Sequence, residues 1–207
     1  MNIRRRFQPG MRIRKFHKGG KGPGHPHPNL TTEVMDEILN NKVERPAYKF
    51  SEFRHTVGNH EGGINGYSAI QNESDPNKLS TGKGKYQFDA ATAETAYNRA
   101  VWIGNKRGYS VPKMTSEQFR NMDKVDPDLQ DLLFTTHFAR DENSSVATVL
   151  MDQSQWADQW AKGHWKGKEK DYNTRVQSFN HSLSNQEKTG NQRKDVGPLF
   201  LNIFPND

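Results

Sequence analysis

The stretch Phe50-Ser51-Glu52-Phe53-Arg54-His55-Thr56-Val57-Gly58-Asn59-His60-Glu61-Gly62-Gly63 decides how this chain is read. Phe50, Phe53 and Val57 recur at helical spacing, and Glu61 follows Val57 by four residues on the same face. The pattern predicts a helix over about 51–60, stopped by Gly62-Gly63. A carboxyl at the C-terminal end of a helix meets the negative end of the dipole, which disfavours ionisation. The apolar neighbours Phe53 and Val57 withdraw water from its core-facing side. Both effects favour the protonated form, so the Glu61 carboxyl is expected to hold its proton toward neutral pH. The two glycines let a ligand approach without Cβ atoms in the way.

Outward from this helix the pattern stays helical. Thr31 or Thr32 caps a helix carrying Val34, Met35, Ile38 and Leu39, which Asn40-Asn41 ends. Asp89 caps another, with Ala93, Tyr97, Ala100 and Val101 on one face and Gly104 as its expected terminator. Thr115 and Gln118 form a capping box before a short helix at 116–122. Asp126-Pro127 opens a helix with Leu129, Leu132, Leu133 and Phe138. Further helices are predicted near 144–151, after Asp152 (with Trp156, Ala157 and Trp160 in phase and Gly163 at the end), and over 171–183. Residues 64–88, rich in Gly, Asn and Ser, read as a long loop or a small β-ribbon.

The expected fold class is therefore mainly α, a single helical domain over residues 30–183 between two extensions. Residues 1–29 form a basic Gly/Pro-rich extended arm. Residues 184–207 form a polar tail with one apolar segment, Pro198 to Phe204. That segment is either a strand packed back on the domain or, as we favour, a docking peptide for another protein.

Composition narrows the function classes. Of the 207 residues, 31% are apolar and 26% charged, and no run approaches the ~18 apolar residues of a membrane-spanning helix. Without cysteine there is no disulfide, thiolate metal site, iron–sulfur centre or thiol nucleophile, and the redox compartment stays open. The net charge is +6, but residues 1–29 hold eight cations and no acid, leaving the remainder at −2. Such an arm suits nucleic acid, an anionic membrane surface or an acidic partner. No apolar core follows its basic start, so it does not read as a secretory signal. His25 and His27 are separated by proline and lack a third ligand, so they read as linker.

Two further segments accompany His60-Glu61-Gly62-Gly63. They are Gly84-Lys85-Tyr86-Gln87-Phe88, which leads into the Asp89-capped helix, and Val125-Asp126-Pro127-Asp128-Leu129-Gln130. Each alone has a plain structural reading: a solvated helix end, a strand, and helix punctuation. Their order and spacing together resemble the lytic transglycosylases of the lysozyme-like superfamily, soluble lytic transglycosylase type. The likeness spans about residues 48–180 and looks closest to the phage-borne versions carried in virions.

The resemblance implies a lysozyme-like α+β fold and cleavage of the MurNAc–GlcNAc β-1,4 bond of bacterial peptidoglycan. Glu61 falls on the family's single general acid/base. Tyr86 and Gln87 fall on the cleft-lining segment, with Gln87 at the position that hydrogen-bonds near the acid. Gln159-Trp160-Ala161-Lys162-Gly163 matches a later motif in which Trp160 stands where the family has tyrosine, and Gly62 stands where serine is usual. No cofactor or metal is implied. The sugar's own 6-hydroxyl attacks the anomeric carbon, giving 1,6-anhydromuramyl ends. Glu73 and Asp75 leave a second carboxylate, and hence hydrolysis by a muramidase, open.

Aromatics are dense where a sugar cleft would lie. Phe88 and Trp156 read as core, while Tyr67 and Trp165, in Gly-flanked segments, read as better cleft candidates. The arm and the tail would tether the enzyme to other virion proteins, and the particle would deliver it to the host envelope. The competing readings are a structural virion protein with this fold and no activity, and a nucleic-acid-binding protein. The latter is disfavoured by the −2 charge outside the arm.

Overall fold

The computed structural model describes residues 27–71, 82–139, 142–165 and 171–194, with side chains at all of these except 142–144, 164–165 and 186–194. The architecture is mainly helical, with eight α-helices among the described residues. These are α1 (Thr32–Asn40), α2 (Phe50–Gly62), α3 (Ala90–Arg107), α4 (Ser116–Arg120), α5 (Pro127–Phe138), α6 (Glu142–Met151), α7 (Trp156–Trp160) and α8 (Tyr172–Lys194).

The caps read from the sequence act as such. The Thr31 hydroxyl accepts from the Val34 N–H, and Asp89 Oδ1 accepts from the Thr92 N–H at 2.7 Å. Thr115 and Gln118 exchange both bonds of their capping box. Asp126 Oδ1 accepts from the N–H groups of Asp128 and Leu129 with Pro127 at the first helical position. Each satisfies donors that a helix start leaves open.

Three expectations are corrected. α3 does not end at Gly104 but runs to Arg107, where Gly108 takes the left-handed conformation (φ +76°). Gly104 is buried inside the helix because its missing Cβ lets the Tyr109 carbonyl pass close by. α8 continues to Lys194, through the first half of the segment read as a tail. The β-ribbon is reduced to isolated antiparallel bridges, Ile70 with Lys83 and Lys83 with Phe88, and no longer strand occurs among the described residues. The apolar segment Pro198 to Phe204, His25, and the carboxylates Glu73 and Asp75 lie outside the described residues.

α2 runs through the core. Phe50, Phe53 and Val57 are fully buried. The Phe53 ring centroid lies 4.7 Å from Phe138 of α5 and 5.6 Å from Trp156 of α7. Phe88 and Trp156 are core residues, and the Trp156 indole N–H donates to the Val149 carbonyl at 2.8 Å. Large rings of this kind each contribute about 1.5–3 kcal/mol of burial, so α2 is held against both α5 and α7. Its C-terminal turn, which carries Glu61, inherits that rigidity.

Between Gly82 and Phe88 the chain makes a tight turn. Lys83 and Phe88 exchange both backbone hydrogen bonds at 3.0 Å, and the Gly84 N–H donates to the Ala69 carbonyl at 2.8 Å. Gly84 has φ +76°, and a Cβ there would lie 2.3 Å from Gln130 Oε1. That oxygen accepts from the Lys85 N–H, while Gln130 Nε2 donates to the carbonyls of Tyr67 and Val125. The Gly84→Ala variant should therefore lose about 2–4 kcal/mol, from left-handed strain plus a displaced buried amide. A lowered urea midpoint checks this.

Candidate active site

Glu61 occupies the last turn of α2 and is partly buried. Its Oε1 accepts a hydrogen bond from the Trp160 indole Nε1–H at 2.8 Å. Among the described residues this is the carboxyl's only hydrogen bond, so Oε2 is the oxygen left to carry a proton. Burial pushes the Glu61 carboxyl up to about 7; the Trp160 N–H and the positive field of Arg175 oppose this and are outweighed. Near neutrality the group thus divides between acid and carboxylate, as a residue that both gives and takes a proton requires.

Trp160 is itself buried, at 1% exposure. Its ring stacks on Phe179 of α8 (5.1 Å, 28°) and meets the His60 ring edge-on at 4.7 Å. Trp160 is therefore corrected from a cleft wall to a support of the acid: the indole can orient Glu61 but exposes no face to a sugar. His60 is held by Ser182 Oγ of α8 at 2.8 Å from Nδ1, and burial lowers its pKa to about 4, with Arg175 adding to the effect. It is a neutral ring at physiological pH. Phe179, Ser182 and Arg175 were missed in the sequence because they lie far along the chain with no motif of their own. The one available signal was the helical pattern over 171–183.

The Lys85-Tyr86-Gln87 turn lies across α2 directly beside the acid. A Cβ on Gly62 would meet the Lys85 carbonyl at 3.0 Å, and one on Gly58 would meet Lys85 Cε at 2.4 Å. Glycines at 58 and 62 thus let the turn press against the helix. Here Tyr86 is also corrected. It is fully buried, stacked on Phe134 at 4.4 Å, with its hydroxyl donating to Asp131 Oδ1 at 2.7 Å. It cannot contact a ligand without leaving the core, because an aromatic at this register is covered by α5. Burial and Asp131 hold its hydroxyl in the neutral form.

Gln87 takes φ +49°, a strained backbone for a residue with a Cβ. Its Nε2 donates to the Gly84 carbonyl at 2.8 Å, and its Oε1 is buried without a hydrogen-bond partner among the described residues. Such an acceptor is costly to leave unpaired.

Tyr67 is partly exposed. Its hydroxyl donates to Asp131 Oδ1 at 3.1 Å and accepts from Lys85 Nζ at 2.8 Å, and Lys85 Nζ lies 4.4 Å from its ring centroid. Asp131 also pairs with Arg54 of α2 (3.7 Å), which is joined to Asp36 of α1. Arg54, Gly58 and Glu61 fall on one stripe of α2. The charged cluster and the acid therefore share a face, about 10 Å apart along the axis. The Trp165 side chain lies outside the described residues.

The sequence reading also missed Ile64. It projects from the turn after the acid, between Gly63 (φ +53°) and Gly66 (φ +50°), and is fully exposed. No cluster of His, Asp or Glu suited to a metal ion occurs among the described residues.

Trp160→Phe keeps the stacking but removes the N–H that lowers the Glu61 pKa. The carboxyl should then titrate about one unit higher. A carbon-13 NMR titration of the Glu61 side chain reads this independently of activity.

No protein-family model, curated protein or solved structure matches this chain.

Proposed function

We propose that this protein is a lytic transglycosylase of lysozyme-like fold that cleaves the MurNAc–GlcNAc β-1,4 bond of bacterial peptidoglycan as a virion-carried enzyme. The observation that carries the reading is the Glu61 carboxyl, raised to about 7 at the end of a rigid core helix and oriented by the Trp160 N–H. The order of the three motifs supports it, as does the turn at 84–87 against the glycine next to the acid.

The mechanism follows from one group that can both donate and accept. Protonated Glu61 gives its proton to the glycosidic oxygen as the bond from that oxygen to the anomeric carbon breaks. The resulting carboxylate takes the proton of the sugar's 6-hydroxyl, whose oxygen bonds to the anomeric carbon. The anhydro ring closes, no water is consumed, and Glu61 ends protonated again. Burial favours the acid form before the first transfer, and the indole N–H stabilises the carboxylate after it. Asp131 is engaged by Lys85, Tyr67, Tyr86 and Arg54, so it is poorly suited to serve as a second, water-activating carboxylate.

Mass spectrometry of peptidoglycan digested by the purified protein tests the reading. Anhydromuramyl ends are expected. Reducing ends would mean hydrolysis on the same scaffold. An absence of fragments would mean a structural role in the particle.

A further inference from the structure

The Trp160 N–H serves Glu61 only while the indole points it there, and the backbone beneath gives little hold. Trp160 closes a helix of five residues, and the chain leaves it through a turn of π-helix over Ala161–Trp165. The aim of the ring is therefore set by what packs on it. Phe179 of α8 stacks on the indole with centroids 5.1 Å and planes 28° apart. A stacked partner fixes the plane of a ring but lets it slide and turn within that plane. The Nε1–H bond lies in the plane, so its direction needs a second constraint. His60 supplies one. Its ring meets the indole at 85° with centroids 4.7 Å apart, and it also lies 5.1 Å from Phe179.

His60 is in turn tied down. The Ser182 hydroxyl donates to the Ser178 carbonyl, one turn back along α8, at 3.2 Å. Its single hydrogen is thereby used, so it is His60 Nδ1–H that donates to the Ser182 oxygen at 2.8 Å. Phe179 and Ser182 are three residues apart, so one stripe of α8 makes both contacts. His60 and Glu61 are neighbours in the last turn of α2 and project about 100° apart, and the same indole fits against both. The charged groups around His60 are Glu61 on its own helix and Arg175 on α8, whose positive field reaches both residues. His60 titrates near 4 and Glu61 near 7, so His60 is uncharged where the acid gains and loses its proton. Replacing it with a neutral residue removes no charge from the surroundings of the carboxyl.

We propose that His60 is a positioning residue: braced by Ser182, it locks the Trp160 indole within its plane so that Nε1–H stays on Glu61 Oε1. It acts on the acid through Trp160. Its part in cleavage rests on the transglycosylase reading, whereas the locking of the indole is read without substrate.

The test follows two NMR signals in the full chain: hydrogen exchange of the Trp160 indole N–H and the carbon-13 titration of Glu61. In His60→Ala the indole hydrogen should exchange about tenfold faster or more, and Glu61 should titrate about one unit higher, as in Trp160→Phe. Combining His60→Ala with Trp160→Phe should move Glu61 no further than Trp160→Phe alone, because both act through one bond. His60→Phe restores a ring against the indole and should recover most of both signals. Ser182→Ala, which only unties the ring, should shift both in the same direction by less, and it serves equally if His60→Ala does not fold. The sign separates positioning from loosening. Water admitted by a slack site would lower the Glu61 titration toward 4.5, and that result, or unchanged signals, would overturn the proposal. So would a His60→Phe variant that behaves like His60→Ala. In peptidoglycan digests the pH dependence of kcat should move up with the Glu61 titration while KM stays the same. A wild type that cuts no glycan would overturn the enzymatic reading, and with it the role in cleavage, even with the NMR shifts as expected.

Discussion

Glu61→Gln is expected to lower glycan cleavage by about 10²–10⁴-fold while leaving the fold intact. Glutamine keeps the shape and can still accept from the Trp160 N–H, but it holds no transferable proton at pH 7. A variant that retained full lytic activity would sink the mechanism. The same substitution carries a stability signature with a definite sign. The Glu61 carboxyl titrates at about 7 in the folded protein, against 4.5 for an unperturbed glutamate, so the folded state keeps a proton that the unfolded chain has already released. Stability contributed by this group is present below 4.5 and is lost as pH rises through 7. The Gln variant lacks this loss, so its advantage over the wild type should grow from near zero below pH 4.5 to about 3 kcal/mol above pH 7.

His60 runs the other way. Its pKa falls from 6.5 to about 4 on folding, so its contribution is present above 6.5 and is lost as pH falls through 4. In the wild type the two slopes largely cancel between 4.5 and 6.5. In Glu61→Gln the His60 slope should stand alone, with stability rising across that window. Urea unfolding at a series of pH values separates the two, and parallel curves for both proteins would show that Glu61 is not the perturbed group.

Asp131→Ala should be among the most destabilising single substitutions, at about 3–5 kcal/mol. Asp131 Oδ1 accepts from Tyr86 and Tyr67 and pairs with Lys85 at 3.5 Å, while Oδ2 faces Arg54. Removing the carboxylate takes the anionic partner from the partly buried Lys85 ammonium, leaves the Arg54 cation nearby, and deprives the core Tyr86 hydroxyl of its 2.7 Å acceptor. Burial already lowers the Lys85 pKa, and Asp131 is what holds it up. Adding Lys85→Met to Asp131→Ala should recover part of the loss, because the uncompensated charge then disappears. A double variant as unstable as the sum of the singles would show that the pair is not coupled. The cluster also fastens the 84–87 turn beside Gly62, so its loss should impair the site as well as the fold.

The features legible in the residues alone are local ones. The helix starts at Thr31, Asp89, Thr115 and Asp126 were readable because a cap needs only a side-chain oxygen and an N–H two or three residues on. The placement of Glu61 on the buried face of a helix followed from the 3.6-residue period, and with it the direction of its pKa. Tertiary structure decided which surfaces those elements meet. Tyr86 carries the same motif signal whether it lines a cleft or fills a core; the packing of Phe134 against it made it core. Trp160 reached Glu61 across 99 residues of chain, and α8 supplied Phe179 and Ser182 behind the pair. Gly104 looked like a helix end until the Tyr109 carbonyl was found packed against it. Periodicity records which face of an element is buried, whereas the identity of the covering partner depends on contacts between residues distant in the chain, which no local pattern encodes.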